Sequence, residues 1–479
     1  MRIATLHRAL VIWTALVVVW ATVATASKPS QTGYPRLMQG PMVGVVTPES
    51  AKIWIRTSGE MPVTIQYATN RDFDSYLETE PVTVLKANDY TEVITIIGLE
   101  PETEYFYRLT TDGIPDRYLK MLKPLRFKTA PLPGSDANLR IVFGSCPKYM
   151  DDRIQPIWPW VEHYDPDILF WIGDNIYGDS LDPDILREEY RRQRDIPALQ
   201  PILHNTSHLA VWDDHDFALN NHDRTNPVKE GAYDVFREYW ANPSYGLPDV
   251  KGIFFKYTWG KVDFFVLDGR WYRDPDEDPD TPDKTMLGAA QFEWLTTELE
   301  ASTAVFKVLV SGSGWSKNKG EGGDSWAAFL HERDRLFDFI RDQNVTGVVM
   351  MSGDTHIGEL NVIPWSEHGG YDLYDMVSSP LAQVIPDSWL ERRPEQRIWP
   401  VYFQGSNFGL VEFFMGDDPR MVFQLIDTHG RRVWEPFEVH ASELVNGVTS
   451  WPDKVSEISR QRQEHLGAGE GYYEIPVED

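Results

Sequence analysis

DILFWIGDNIY, residues 167–177, is a run of branched and aromatic side chains that stops on Gly173 and Asp174, with Tyr177 three positions further on. An apolar run of this length without polar alternation reads as a strand buried on both faces, the kind found inside layered α/β sheets. Five further stretches repeat the design. IVFGSC ends at Cys146, LAVWDDHD carries Asp214 and His215, FFVLDGR carries Asp268, KVLVSGSGW ends at Trp315, and VVMMSGDTH carries Asp354 and His356. In layered α/β folds ligands gather outside the carboxyl ends of such strands. One run ending in Asp would mean nothing, but runs ending in Cys, Asp, Tyr and His together describe the rim of one metal site.

Outward from these runs the chain divides in two. From residue 138 to about 440 strands alternate with amphipathic segments, and helices are expected near 182–194, 229–241, 288–300 and 325–342. Beyond Tyr371 the pattern turns strand-rich (YDLYDMVSS, FGLVEFFM, MVFQLID), so a second sheet is expected there, packed on the first. Residues 40–130 alternate with period two and break at turns, as in AKIWIRT, VTIQYAT and TEYFYRLTT. Short, regularly spaced strands indicate a β-sandwich. GLEPETEYFY, residues 98–107, resembles the E–F corner of fibronectin type III domains. The Pro/Gly punctuation of APLPGS (130–135) marks the boundary.

With 479 residues, 42% of them apolar and 18 of them Trp, the chain has material for more than one core. Its net charge of −28 repels a phosphate backbone, so DNA and RNA are excluded as partners. A solvated acidic surface explains most of that charge, and carboxylates awaiting cations explain part. Arg2, His7 and Arg8, then ALVIWTALVVVWA, then Ala24-Thr25-Ala26 read as a signal peptide over residues 1–26. The run is short for a membrane span, so an exported protein without a transmembrane helix is expected, with a flexible tail over 465–479. The single cysteine excludes an intramolecular disulfide. A buried thiol is its ordinary reading; metal ligation would equally protect an exported thiolate from oxidation.

The site residues carry a functional and a bland reading each. Asp174 and Tyr177 are hard oxygen donors suited to a trivalent cation, spaced to share one side of a turn beginning a helix; a helix cap beside a packed Tyr is the alternative. Asp354 and His356 share a face if the strand stays extended, and such a pair binds a metal or relays a proton. His215, between Asp214 and Asp216, has its protonated form favoured, as a general acid needs. A solvated acidic turn is the alternative there.

Taken together, FGSC, IGDNIY, WDDHDFALNN, LDGRWYR and SGDTH resemble the calcineurin-like metallophosphoesterases, and within them the alkaline phosphatase D family. WDDHDFALNN looks most like the eukaryotic-type branch, which commonly has Gly where Ala218 stands and Asp where Asn221 stands. The resemblance implies a four-layer α/β/β/α catalytic domain preceded by the sandwich. It implies that Cys146, Asp174, Tyr177 and His356 hold an iron, Fe(3+), with Asp174 bridging to a second ion at Asp214 and Asp354. A carboxylate-rich second site suits Ca(2+), with Zn or Mn as substitutes. A further histidine of that site has His222 and His331 as candidates, each with a structural alternative. The implied reaction is attack of a metal-activated hydroxide on phosphorus. His215 would protonate the leaving group, Asn220 and Asn221 contact the phosphate oxygens, and Arg270 offset charge in the transition state; a salt bridge to Asp268 is the bland reading of Arg270. Trp315 and Trp326 either wall the pocket or belong to the core.

The expected activity is therefore phosphoester hydrolysis on monoesters, diesters or both. A dedicated phosphodiesterase acting on phospholipid or wall-polymer esters is the alternative within enzymes. A binding protein with a degenerate site is the alternative outside them.

Overall fold

The computed structural model describes residues 36–111, 114–115, 125–317, 323–383 and 395–461. The expected signal peptide and tail lie outside the described residues. The described residues belong to one compact unit.

The N-terminal strands build two sheets. Leu37–Val46, Ser50–Thr57 and Thr91–Ile97 make one, and Met61–Ala68 with Glu104–Thr111 and shorter strands make the other. Alternation explains the second: Tyr105, Tyr107 and Leu109 of EYFYRLTT are buried while the residues between them are not. The Tyr105 hydroxyl accepts the Glu100 backbone N–H at 2.9 Å, pinning the corner read from GLEPETEYFY. These sheets are fastened to the rest of the unit by main-chain and side-chain bonds. The Val45 N–H donates to the Ala241 carbonyl at 2.9 Å, Trp54 Nε1 to the Glu238 carbonyl at 2.7 Å and Tyr257 Oη to the Val46 carbonyl at 2.9 Å.

The remaining strands form two mixed sheets. In one, Leu139–Gly144, Ile168–Ile172 and Ser207–Val211 lie side by side and parallel. In the other, Val262–Leu267, Phe306–Ser311 and Val348–Ser352 do the same. Parallel pairing puts three carboxyl ends at one edge of each sheet, so the six motif turns emerge as two neighbouring rows. Aromatic side chains join the sheets face to face: Phe170 meets Phe264 with ring centroids 4.7 Å apart, and Phe306 meets Phe413 at 5.3 Å.

Two expectations are corrected. The strands beyond Tyr371 do not form a sheet of their own. Leu373–Val377 pairs with Val348–Ser352, while Asn407–Phe414 and Arg420–Asp427 extend the first sheet through an antiparallel pair with Leu139–Gly144. Each parallel sheet leaves an edge of free N–H and C=O groups, and the late strands satisfy both edges. The helix expected over 325–342 is broken. A 3-10 turn spans Trp326–Ala328, Phe329 leaves the helical region at φ −135°, and the α-helix runs Leu330–Asp342. Asp280 Oδ2 accepts the Leu330 N–H at 2.9 Å and so caps the new start. The other three helices, Pro183–Arg194, Lys229–Tyr239 and Gly288–Ala301, fall where the periodicity puts them.

Two glycines set the spacing of the motif turns. A Cβ on Gly173, at φ +95°, would lie 2.7 Å from the Asp213 Cβ, and one on Gly353 would lie 2.5 Å from the Ser145 Oγ. Only glycine lets these turns from different strands approach so closely. Among the described residues no helix is long and apolar enough to cross a membrane.

Candidate metal centre and active site

Four of the expected ligands sit in left-handed backbone conformations: φ is 59° at Cys146, 48° at Asp174, 68° at Asp354 and 54° at His356. Such conformations are costly for non-glycine residues and gather where a site demands them. They also correct two local readings. Asp354 and His356 do not share the face of an extended strand, because the strand ends at Ser352 and both residues lie in the turn beyond it. The turn of Asp174 does not begin a helix, since the next one starts at Pro183. Asp174 and Tyr177 nevertheless lie on one side of it, with Tyr177 Oη 3.1 Å from Asp174 Oδ2.

The turns converge. Cys146, Asp174 and His356 bring Sγ, a carboxylate oxygen and an imidazole nitrogen within 4.8 Å of one another, and Asp174, Asp214 and His215 form a second such group. Asp174 is common to both. Cys146 Sγ stands 3.5 Å from Asp174 Oδ2, and Tyr177 Oη stands 3.0 Å from His356 Nε2. Asp354 adds its charge nearby, where it acts on both Cys146 and Asp174.

These donors destabilise one another when no cation is present. Burial, then Asp174 and Asp354, push the Cys146 thiol well up. Burial and the neighbouring carboxylates likewise push Asp174 well up, against the pull of His215. The Tyr177 phenol is raised by burial and by Asp174. A buried, mutually repelling set of thiol, phenol, imidazole and carboxylates is what a multivalent cation neutralises. The residues present fit a bound cation.

The carboxylates around His215 favour its protonated form. Burial opposes its charge, but Asp174, Asp179 and Asp214 outweigh that and raise it to about 10. Its Nδ1 pairs with Asp179 and its Nε2 lies 3.9 Å from Asp214 Oδ2. The Tyr177 ring covers it at 4.2 Å. Asp216, expected to flank His215, turns away instead: it is buried and takes the Tyr190 hydroxyl at 2.9 Å. In the short helix Asp214–Phe217, adjacent side chains point about 100° apart, so Asp214 and Asp216 cannot both face His215.

Arg270 departs from its bland reading. It is fully buried and pairs not with Asp268 but with Asp213, with Asp324 through two bonds of 3.0 and 2.9 Å, and with Asp214 at 3.5 Å. Asp268 spends its carboxylate on the backbone N–H groups of Ile253, Arg270 and Trp271. Arg270 thus orders the second ligand group, and with His215 it holds Asp214 low against the effect of burial. Asn220 and Asn221 are exposed, and the Asn221 N–H donates to Asp214 Oδ2 at 2.6 Å. His222 lies on that loop and its carbonyl is 3.5 Å from Arg270 Nη1; His331 is exposed at the start of the Leu330–Asp342 helix. Trp315 and Trp326 stack at 4.5 Å, both fully buried, so they are core and not pocket wall.

Several contributors escaped the sequence reading. The Ser145 hydroxyl holds the Asp354 N–H at 3.0 Å, and the Ser379 hydroxyl holds the His356 N–H at 3.0 Å. Ser379 ends the run YDLYDMVSS, the same signal of an apolar strand closing on a polar residue. Behind them Asp375 takes the Ser352 hydroxyl at 2.7 Å and the N–H groups of Trp315 and Ser316 at 3.2 Å each. Burial pushes Asp375 from its ordinary 3.8 up to about 7. A raised carboxyl favours folding fully below its unfolded value and loses that contribution as pH rises through the folded one. The melting temperature of Asp375→Asn should therefore fall less than that of the wild type between pH 5 and pH 8. Parallel melting curves over that range would contradict the assignment.

Comparison with known proteins identifies the family. Residues 141–384 match the family described as PhoD-like phosphatase, and residues 21–131 match the PhoD-like phosphatase N-terminal domain. The chain belongs to the PhoD-like phosphatase family. It is 26% identical over 311 residues to alkaline phosphatase D of Bacillus subtilis (strain 168), a match covering 54% of this chain and 52% of that one. The chain thus aligns with about half the length of that curated relative. A solved structure of PhoD superposes with a TM-score of 0.72 at 19% identity, covering 88% of this chain and 94% of the other. A purple acid phosphatase from yellow lupin seeds superposes at 0.59 with 14% identity, covering 88% and 75%. These likenesses establish the mixed α/β fold that PhoD-like and purple acid phosphatases share.

Proposed function

We propose that the chain is an exported, metal-dependent phosphoesterase of the eukaryotic-type PhoD-like branch, with a four-layer α/β/β/α domain behind a fibronectin type III-like sandwich. One observation carries the reading: two buried ligand groups share Asp174, which suits a pair of ions bridged by one carboxylate. Cys146, Asp174, Tyr177 and His356 are assigned to Fe(3+), and Asp214 and Asp354, with Asp174, to Ca(2+); Zn or Mn are possible substitutes. Ions held there would supply Lewis acidity and lower the pKa of water toward neutrality, so that hydroxide is available as the nucleophile.

The protein's own groups do the rest. Asp174 holds the two ligand groups in one geometry. Protonated His215, fixed at Nδ1 by Asp179, gives its Nε2 proton to the ester oxygen as the P–O bond breaks, so that the alcohol leaves neutral. Asn220 and Asn221, exposed on the loop beyond His215, offer amide donors to the phosphate oxygens. Arg270, paired with Asp214, offsets negative charge in the transition state.

The dedicated phosphodiesterase on phospholipid or wall-polymer esters has one observation in its favour. Met150, Ile154, Leu181 and Leu219 are exposed on the three loops that carry Cys146, Asp174 and His215, an apolar surround suited to a large ester substituent. The test is turnover of 4-nitrophenyl phosphate and bis(4-nitrophenyl) phosphate by the full chain, before and after chelation. Hydrolysis that is lost on chelation and regained with iron plus calcium is the expected result. A diester turned over at least about tenfold faster would establish the dedicated diesterase. No hydrolysis of either after reconstitution would leave the binding protein.

A further inference from the structure

One buried carboxylate ties together the two turns that carry Asp174 and Asp214. Asp216 Oδ2 accepts the N–H of Asn175, the residue after Asp174, at 3.0 Å, and the N–H of Asp213, the residue before Asp214, at 3.1 Å. The Asn175 side chain reinforces the link, its Nδ2 lying 3.3 Å from the same oxygen and 2.8 Å from the Val211 carbonyl. The other oxygen, Oδ1, takes the hydroxyl of Tyr190 at 2.9 Å from the helix Pro183–Arg194. Tyr190 is itself held: its ring stacks on Tyr239 at 4.9 Å and 15°. The Tyr239 hydroxyl bonds to Asp89 of the N-terminal sheets, which also accepts Arg191 Nη1 at 2.7 Å.

We infer that Asp216 and Tyr190 are positioning residues that set the separation of Asp174 and Asp214, and hence the affinity of the ion those two carboxylates share. The N-terminal sheets brace the pair from behind through Asp89 and Tyr239. A backbone N–H held on each side of the gap ties together two turns that belong to different strands, beside the His215 N–H on Asp174 Oδ1 at 3.4 Å and the Gly178 N–H on the His215 carbonyl at 3.3 Å. Groups that orient ligands in this way are worth 10–100-fold in metal affinity. Asp216 is bonded to backbone and to Tyr190, so its effect falls mainly on the ion at Asp214; the other ion shares only Asp174 with it and keeps Cys146, Tyr177 and His356.

The inference takes Asp174 and Asp214 as ligands from the phosphoesterase reading, and its test reads binding and not turnover. Co2+ is titrated into the metal-stripped full chain. A thiolate-to-cobalt charge-transfer band reports the ion at Cys146, and calorimetry counts both ions. Asp216→Ala should weaken the second ion about 10–100-fold with the thiolate band titrating as in the wild type. Asp216→Asn, whose amide oxygen accepts the same two N–H groups, should restore affinity to within about threefold, and Tyr190→Phe should fall between. If Asp216→Ala does not fold, Tyr190→Phe decides alone. Second-ion affinity within twofold of wild type, or equal weakening of both ions, overturns the inference while the phosphoesterase reading stands. A wild-type chain that binds no cobalt overturns both.

Discussion

Asp174→Asn should abolish phosphoester hydrolysis by about 10^3-fold or more, because it removes from both ligand groups the one carboxylate they share. Charge stabilisation by bound ions contributes several kcal/mol in such sites, and each 1.4 kcal/mol is a factor of ten. The same substitution should stabilise the metal-free protein. Burial and the charges of Asp214, Asp213 and Asp354 already push Asp174 well above the ordinary carboxylate range, so a neutral amide of equal size relieves repulsion that only a cation would otherwise relieve. Activity should fall while the melting temperature of the chelated protein rises. A chelated variant that melts below the wild type would mean that Asp174 is structural, and retained turnover would remove it from the site. Turnover and thermal melting with and without chelator separate these outcomes.

Arg270→Met should destabilise the fold by about 3–5 kcal/mol, the usual consequence of removing one partner from a buried ion network. The guanidinium is fully buried and contacts three carboxylates. Asp324 keeps a partner after the substitution, since Arg273 Nη2 reaches it at 2.6 Å. Asp213 loses its ion pair: its Oδ1 pairs with Arg270 and its Oδ2 is buried without a hydrogen bond. The unpaired charge on Asp213 is therefore the main cost, and adding Asp213→Asn should recover a large part of the loss. Chemical denaturation of the single and double variants measures both quantities. A loss below about 1 kcal/mol, or no recovery in the double variant, would show that the network is not what orders the second ligand group.

Much of this was legible in the sequence because it depends on local chemistry. Continuous apolar runs give buried strands, and each run closes on a polar residue that cannot continue it, so Cys146, Asp174, Asp214, Asp354 and His356 could be named before their neighbours were known. Tyr105 at its corner and three of the four long helices were readable on the same grounds. What failed concerned direction and partnership. Whether Asp354 and His356 share a face turns on two left-handed residues that no side-chain pattern announces. Arg270 was matched to Asp268 because they are two residues apart, whereas its partners stand up to 57 positions away. The strands after Tyr371 were read as a separate sheet because a strand's pattern does not name the edge it will join.

The sequence by itself determined which elements form and which residues end them, since propensity, burial pattern and donor chemistry are properties of short stretches. Only the tertiary structure decided which ends meet. Parallel pairing, close approach at Gly173 and Gly353, and the carboxylate of Asp216 bring residues as much as 209 positions apart within hydrogen-bonding distance, as between Ser145 and Asp354. That choice belongs to long-range packing, where the energy of each contact depends on all the others and no stretch of chain encodes it alone.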